Sequence, residues 1–231
     1  MLGIIFTGGE PPAPDTIKQM LENKGSFSGT ADRMTLHSGD NRTLIIAADS
    51  GLDTAESAGI KPDIIIGDMD SIDEKRLLNY PAECVMRHER NKDYTDTELA
   101  LIEALKRGCS VNWLIGGGGG RADHFFAIRS LFERVNFPVR WITKSSDIYC
   151  LEADSPYNSL SYCIPNNIIV SVFPLGCGPW LIKSSGLNWP LDNYNWKCGL
   201  FSLSNFAVDA EFSVAAEKGR FLVILSNDIG G

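Results

Sequence analysis

The sequence predicts an α/β domain with a mainly parallel sheet, residues 1–153, followed by an all-β sandwich domain, residues 154–231. In the first part, short apolar runs alternate with segments of helical period, which is typical of parallel strands joined by crossover helices. From about Ser155 the helical period fades, and short β-rich runs separated by turn residues take its place. A chain of 231 residues is long enough for one large domain or two small ones.

The strands of the first part are predicted from apolar runs. They are residues 2–6, 44–48, 64–66, 84–87, 111–115 and 139–143. The helices are predicted from their period and from the residues at their ends, because Pro14 precedes the first helix, Gly59 follows the second and Gly108 follows the fourth. They are residues 15–23, 52–58, 73–78, 96–107 and 122–135.

In the second part, turn residues recur at short intervals and separate the β-rich runs. Its predicted strands are residues 160–164, 168–173, 180–183, 208–215 and 221–225. A polar, glycine-bearing stretch at residues 25–42 is predicted to be a long surface loop or a partly disordered insertion.

Charge and cysteine content exclude several classes of protein. A net charge of −8 argues against non-specific nucleic-acid binding, although not against nucleotides, since a divalent cation can reverse the local sign. The six cysteines form no CxxC pair and no zinc spacing, so we interpret them as reduced thiols of a cytoplasmic protein. The N-terminus lacks a signal-peptide pattern, and no apolar run approaches the ~20 residues that span a bilayer, so no membrane partner is expected.

The residues that follow each predicted strand are the candidates for a ligand site. In open α/β sheets, ligands bind outside the carboxyl ends of the strands. The segments at these positions are Thr7-Gly8-Gly9, Asp49-Ser50-Gly51 and residues 67–71, 92–96 and 116–124. One edge of the predicted sheet therefore collects glycines, aspartates and a few cations.

Two aspartates, Asp68 and Asp70, flank Met69 directly after the third strand. In an extended segment alternate side chains share a face, so both carboxylates would point to one place. Two anions held that close repel unless a cation joins them, and Mg²⁺ takes one or two carboxylates together with phosphate oxygens and water. A turn, with Asp73 capping the next helix, explains the same residues equally well.

Two further segments at this edge have both a structural and a functional interpretation. Thr95 and Glu98 match a capping box, so a functional role for Asp96 depends on the neighbouring loops. Five glycines at 116–120 expose backbone N–H groups that can cradle phosphate, and Arg121 beside them suits phosphate oxygens. No Gly-Lys-Ser/Thr follows, so the run is not a P-loop.

The second part contains three tryptophans, Trp180, Trp189 and Trp196, within seventeen positions. Most tryptophans pack in cores, which is the structural interpretation of each. A surface indole beside Ser and Asn side chains would instead suit a flat, cationic heterocycle.

Six segments together resemble the thiamin pyrophosphokinase family. They are AADSG (47–51), PDIIIGDMDSI (62–72), KDYTDTELAL (92–101), GGGGGRADH (116–124), SSGLNWPL (184–191) and SLSNFAV (202–208). The resemblance implies an α/β nucleotide-binding domain joined to a β-sandwich, a homodimer, and Mg²⁺-dependent transfer of pyrophosphate from ATP to the hydroxyl of thiamin, giving AMP and thiamin diphosphate. Ser50, where the family often has Gly, and the insertion at 25–42 depart from the pattern.

The resemblance also assigns roles to residues at the matching positions. Asp68, Asp70 and Asp96 would hold Mg²⁺ and act on the thiamin hydroxyl. The implied ATP contacts are Asp49, Gly51, Lys92, Thr95, Arg121, Asp123 and His124. The implied thiamin contacts are Ser185, Trp189, Ser204 and Asn205, which are expected to reach the active site of the partner subunit.

Two other functions stay open at the level of sequence. A sugar-nucleotide transferase with Asp68-Met69-Asp70 as its DxD site explains the aspartates but not the glycine–arginine and tryptophan segments. A non-catalytic thiamin or nucleotide sensor explains binding, although a sensor needs no carboxylates to activate a hydroxyl.

Overall fold

The structure, a computed structural model, describes residues 1–22, 42–91, 93–163 and 168–227. The chain divides into two units, the first formed by Met1–Ile17 and Ser38–Lys144 and the second by Lys18–His37 and Ser145–Gly231. The insertion predicted at 25–42 lies outside the described residues except for Arg42. No helix among the described residues is long and apolar enough to cross a membrane.

The first unit contains six parallel strands that follow the predicted runs. They are β1 (Leu2–Phe6), β2 (Thr43–Ala48), β3 (Ile64–Gly67), β4 (Val85–Arg87), β5 (Val111–Ile115) and β6 (Arg140–Ile142). Their order is β6-β5-β1-β2-β3-β4, and each neighbouring pair is parallel. The prediction of a mainly parallel sheet is therefore confirmed for this unit. The sequence order changes direction at β1, so the loops after β1 and its neighbours meet at one edge, where ligands of such sheets bind.

In the part of the chain that the structure describes, five helices connect these strands close to their predicted positions. They are α1 (Pro14–Glu22), α2 (Gly51–Ser57), α3 (Glu74–Leu77), α4 (Asp96–Lys106) and α5 (Ala122–Leu131). The predicted end of α5 at residue 135 is wrong. Three consecutive N–H groups, those of Phe132, Glu133 and Arg134, donate to carbonyls three residues earlier, so the chain leaves the α-helix through tighter turns.

The second unit consists of antiparallel strands in two sheets. The strands are β7 (Ser146–Glu152), β8 (Ser159–Cys163), β9 (Ile168–Leu175), β10 (Leu181–Ser185), β11 (Ser202–Phe206), β12 (Glu211–Lys218) and β13 (Arg220–Asn227). One sheet has the order β11-β9-β13-β7 and the other β10-β12-β8. An antiparallel β region after the α/β part is what the sequence predicts.

Strand β7 moves the division of the chain to an earlier position than the predicted one at 153/154. It pairs with β13 along its whole length, so it belongs to the second unit, which begins at Ser145. The strand escapes prediction because its sequence, SDIYCLE, begins with Ser-Asp and ends with Glu, which leaves only a short apolar run. Asp147 is nevertheless buried, and its carboxylate accepts a hydrogen bond of 2.8 Å from the Tyr149 hydroxyl.

Candidate active site

A cavity of about 580 Å³ lies in the first unit, at the carboxyl ends of its strands. Its lining comes from the loops after β1, β2, β3, β4 and β5, as the sheet-edge rule predicts. The predicted site residues that line it are Asp49, Asp68, Thr95, Asp96, Arg121 and His124. The volume is within the range of small-molecule sites, which is about 300–1,000 Å³.

The glycine run after β5 allows two loops to approach each other closely. The Gly117 N–H donates to the Gly8 carbonyl at 2.6 Å, and the Glu10 N–H donates to the Gly118 carbonyl at 2.6 Å. Gly116 has a φ of 102°, and a side chain there would overlap the Thr7 carbonyl oxygen. Part of the run therefore has a structural role, while Gly119 and Gly120 line the cavity.

The loop after β3 is held by Met69. Its side chain is only 4% exposed and packs in a cluster with Leu52, Ile72 and Leu77. Met69 has a φ of 64°, so the segment turns here and the prediction of an extended segment is wrong. With Met69 anchored in the core, the carboxylates of Asp68 and Asp70 are left on the outside of the turn.

Three carboxylates meet at this turn. Oxygen atoms of Asp49, Asp68 and Asp70 all lie within 4.8 Å of one another. Asp49 reaches the group from the end of β2 because its N–H continues the sheet pairing to the Ile66 carbonyl, at 2.9 Å, while its own φ is 46°. One of its oxygens, Oδ1, is buried and has no hydrogen-bond partner among the described residues.

Such a set of oxygen atoms fits a divalent cation. Hard cations such as Mg²⁺ prefer carboxylate oxygens, and a buried anionic oxygen without a donor is unfavourable unless a cation neutralises it. The fit rests on the convergence of Asp49, Asp68 and Asp70 and on the unpartnered Oδ1 of Asp49. When bound there, Mg²⁺ would neutralise charge on phosphate oxygens.

Asp96 lies at the first turn of α4, next to this group. The predicted capping box is confirmed, because the Glu98 N–H donates to Thr95 Oγ1 at 3.2 Å and the Thr95 N–H donates to Glu98 Oε2 at 2.8 Å. A Cβ built on Gly67 would lie 3.2 Å from Asp96 Oδ1 and 3.2 Å from the Cβ of Asp49. Asp96 and Asp49 therefore flank the backbone of Gly67, and only a glycine leaves the space between them open.

The cationic side chains of the site are already paired with carboxylates. Arg121 donates to both carboxylate oxygens of Asp123, and this ion pair lowers the pKa of Asp123 to about 2. The His124 N–H adds a hydrogen bond of 3.1 Å to the same carboxylate. Nη2 of Arg90 lies 3.3 Å from Oδ2 of Asp70, and Arg90 also lines the cavity. Lys92 lies outside the described residues.

Gly51, a predicted ATP contact, does not line the cavity but allows two elements to pack closely. A side chain on Gly51 would overlap the backbone of Phe6, so the glycine lets α2 approach β1. Asp123 likewise is not part of the cavity lining and acts through Arg121.

Sequence reasoning missed Arg90, and it gave no individual role to Ser71 or Tyr94, which lie in the candidate segments 67–71 and 92–96. Arg90 and Tyr94 line the cavity from the loop after β4, and Ser71 Oγ donates to Asp49 Oδ2 at 2.6 Å. Arg90 and Tyr94 carried a usable signal, because they lie in a loop at the carboxyl end of a strand. The partner of Ser71 depends on the turn at Met69, which no pattern in the sequence reveals.

In the second unit, Asn205 holds the backbone at Trp189. Its side chain accepts from the Trp189 N–H at 3.1 Å and donates to the Trp189 carbonyl at 2.7 Å, while being fully buried itself. Trp189 is 50% exposed, and its ring meets that of Phe206 edge-to-face with 5.4 Å between the ring centroids. Asn205 thus positions an exposed indole and is not itself accessible to a ligand.

The other two predicted thiamin contacts differ in their freedom to bind. Ser185 Oγ is hydrogen-bonded to Ser213 Oγ of β12 at 2.8 Å, so its hydroxyl already has a partner. Ser204 is exposed, has a φ of 57° and donates its N–H to Ser171 Oγ at 3.2 Å. The segments that contain Trp189 and Ser204 run side by side, since the Asn188 N–H donates to the Phe206 carbonyl at 2.9 Å.

Known proteins resemble this chain over most of its length. A family described as thiamin pyrophosphokinase, catalytic domain, matches residues 36–140. The thiamine pyrophosphokinase of Bacillus subtilis (strain 168) is 31% identical over 202 residues, which cover 82% of this chain and 90% of that protein. The chain belongs to the thiamin pyrophosphokinase family. The match at 36–140 includes every carboxylate of the three-aspartate group and Asp96.

Solved thiamin pyrophosphokinases share the fold as well. The crystal structure of the enzyme from Bacillus subtilis superposes with a TM-score of 0.74 at 26% identity, covering 99% of this chain and all of that one. The enzyme from Candida albicans, at 16% identity, superposes with a TM-score of 0.66 over 98% of this chain and 89% of its own, which shows a common fold alone.

Proposed function

We propose that this chain transfers the pyrophosphoryl group of ATP to the hydroxyl of thiamin, with Mg²⁺, and releases AMP and thiamin diphosphate. The observation that carries the proposal is the convergence of three aspartates at the edge of a 580 Å³ cavity within the region that matches the family's catalytic domain. Phosphoryl-group transfer depends mainly on positioning and on neutralising charge, and both require acidic ligands for a cation and cationic side chains for phosphates.

The acidic residues provide the cation site and the cationic residues the phosphate contacts. Asp68 and Asp70 hold Mg²⁺, and Asp96 faces the same space across Gly67. Arg121 reaches the phosphates from the glycine loop, with Asp123 fixing the plane of its guanidinium. Arg90 lies on the opposite, β4 side of the cavity, where it balances the charge of Asp70.

The thiamin hydroxyl must lose its proton when it attacks the β-phosphorus of ATP. We propose Asp96 rather than Asp68 as the acceptor of this proton. The carboxylate of Asp68 would be bound to the cation, which makes it a weaker base. Asp96 lies at the first turn of α4, where its Oδ1 faces the backbone of Gly67 beside the three-aspartate group.

The second unit supplies the thiamin contacts and the dimer contacts. Trp189 offers an exposed ring for the cationic thiamin heterocycle, and Ser204 offers an exposed hydroxyl. The segment 201–208, which contains Ser204, also carries four exposed apolar side chains: Phe201, Leu203, Phe206 and Val208. We propose that this unit is a β-sandwich and that a second copy of the chain covers these side chains in a homodimer with active sites at the subunit interface. The six free cysteines suit a cytoplasmic enzyme.

Product analysis tests the proposal directly. Purified protein is mixed with thiamin, ATP and Mg²⁺, and the products are separated by chromatography and followed by phosphorus NMR. We expect thiamin diphosphate and AMP in equal amounts and no ADP. Formation of ADP would contradict transfer of a pyrophosphoryl group. Tight binding of both substrates without any product would make the protein a sensor, and turnover of a nucleotide sugar instead of ATP would make it a sugar transferase.

A further inference from the structure

An ion pair joins the first turn of α4 to the turns that follow α5. Nη2 of Arg134, in those turns, pairs with Oε1 of Glu98, the third residue of α4. The two residues are thirty-six positions apart, so the contact connects two separate helices. Asp96 is the first residue of α4, and Arg121 directly precedes α5. The ion pair therefore links the helix of the proposed proton acceptor to the helix of the proposed phosphate contact.

The capping box alone does not account for the carboxylate of Glu98. The box uses one oxygen, Oε2, which accepts from the Thr95 N–H at 2.8 Å. A glutamine caps a helix at this position in the same way, because its side-chain oxygen accepts the same bond. The other oxygen of Glu98 pairs with Arg134. Burial raises the pKa of Glu98, but hydrogen bonds with Thr95 and the ion pair with Arg134 outweigh it, so the pKa lies below its usual range.

The turn that carries Arg134 is anchored in the core. Phe132, two positions earlier, is fully buried and stacks on Trp141 with 6.2 Å between the ring centroids. The indole N–H of Trp141 donates to the Gly116 carbonyl at 2.7 Å, at the start of the glycine run. Arg134 therefore extends from a turn whose position is linked, through Trp141, to the glycine loop of the cavity.

Glu98 is the more enclosed partner of the pair. Its side chain is 14% exposed, whereas that of Arg134 is 44% exposed. An ion pair between exposed side chains contributes little, but an enclosed carboxylate that loses its cation is left with too few partners. We expect the Glu98 side chain to turn towards solvent when Arg134 is removed, and the first turn of α4, which it caps, to move with it.

We propose that Arg134 is a positioning residue for the reaction, which acts through Glu98 to hold Asp96 in place relative to the end of α5 that carries Arg121. The inference rests on the proposed transfer to thiamin, in which Asp96 accepts the proton. Arg134 does not line the cavity, so its effect on the reaction is indirect. It should therefore change kcat and leave the KM values for ATP and thiamin nearly unaltered, since the position of Asp96 matters when the hydroxyl attacks.

Kinetics of matched variants test the inference. We expect Arg134→Ala to lower kcat about tenfold with less than about a twofold change in either KM, because a small displacement of a reacting group is enough for such a loss. Arg134→Lys, which keeps the charge, should retain most of the rate. Glu98→Gln, which keeps the cap, should lower kcat as much as Arg134→Ala, and the double variant should lose no more. Arg129→Ala is the control with full activity, because Arg129 pairs with Glu133, four positions further along, and not with α4.

Amide hydrogen exchange gives a readout that needs no turnover. The Glu98 N–H donates to Thr95 Oγ1 at 3.2 Å, and it should exchange faster in Arg134→Ala but not in Arg129→Ala. With the variants shown to be folded by circular dichroism, an unchanged kcat in Arg134→Ala, an equal loss in Arg129→Ala, or unchanged exchange at Glu98 would each overturn the inference. An unmodified protein that makes no thiamin diphosphate, although the Glu98 amide exchanges faster in Arg134→Ala, would overturn the proposed function and leave Arg134 as the residue that holds the first turn of α4.

Discussion

The hydroxyls of Thr7 and Thr97 lie 2.6 Å apart in a buried position, and they join the end of β1 to the first turn of α4. Thr97 directly follows Asp96, so the bond determines where the first turn of α4 stands above the sheet. Both threonines also line the cavity. The central strand and the helix that carries the proposed proton acceptor are therefore connected by two side chains to which the sequence analysis gave no individual role.

Replacing one partner of this pair should destabilise the protein. Thr97→Val removes one hydroxyl and leaves that of Thr7 buried without a partner, which costs roughly 1–3 kcal/mol. The double variant Thr7→Val/Thr97→Val should be less destabilised than the sum of the two single variants, because no polar group is then left unpaired. Urea unfolding of the four proteins measures the difference. Strict additivity would mean that the two hydroxyls do not interact.

Gly67→Ala should reduce turnover more than it reduces stability. The new methyl group would lie 3.2 Å from Asp96 Oδ1 and from the Cβ of Asp49, which is tighter than ordinary contact and pushes the two side chains apart. We expect kcat to fall by at least about tenfold, or roughly 1.4 kcal/mol in the barrier. Gly108→Ala is the control, since its φ of 85° also disfavours a side chain, no other part of the fold lies within 4 Å of the added methyl, and Gly108 is not part of the cavity lining. Equal turnover of both variants would remove Gly67 from the site.

Asp70→Asn should lower turnover by orders of magnitude and leave the fold intact. Asp70 is exposed, and its ion pair with Arg90 is a surface contact of little energetic weight. Asp73→Asn provides the control from the same loop. Asp73 caps α3 by accepting from the Lys75 N–H at 3.0 Å, and asparagine caps helices equally well. Initial rates at saturating substrates compare the two variants; near-normal rates for Asp70→Asn would refute its place in the cation site.

The Arg121–Asp123 pair predicts a pH dependence confined to strongly acidic solution. The ion pair lowers the pKa of Asp123 from 3.8 to about 2. A depressed carboxyl pKa stabilises the folded state above the unfolded pKa, and this stabilisation is lost as the pH falls through the folded value. The unmodified protein should therefore be more stable than Asp123→Asn by a constant amount above a pH of about 5, and the two stabilities should converge as the pH falls below about 4. Carbon NMR titration of the Asp123 carboxyl gives the midpoint, and a midpoint near 4 would mean that the pair does not persist.

Trp189 should report thiamin binding through its fluorescence. Its ring is half exposed, and a cationic heterocycle stacked on it would quench the emission. Trp189→Phe should lose most of the quenching and raise the KM for thiamin several-fold with little change in kcat. Trp180→Phe is the matched control, because the Trp180 indole N–H donates to the Leu175 carbonyl at 2.7 Å and so has a structural role. Unchanged quenching in Trp189→Phe would exclude this ring as the thiamin contact.

Local patterns in the sequence predicted local structure well. The capping box of Thr95 and Glu98 and the cap by Asp73 need only neighbouring residues, and both are present. The sheet-edge rule also predicted which loops meet, because strand direction fixes the ends of parallel strands. The grouping of Asp49 with Asp68 and Asp70 could not be predicted in the same way, because it depends on two residues with positive φ that are not glycines.

Met69 belongs at once to the hydrophobic core and to the turn between two carboxylates. A substitution that shifts the packing beneath it, such as Leu77→Ala in the same cluster, is therefore expected to displace the acidic oxygens as well. The concentration of Mg²⁺ that the proposed reaction needs would then be adjustable from inside the protein, without a change to any ligand. Adaptation of the core to a new growth temperature would alter the cation requirement of the enzyme as a by-product.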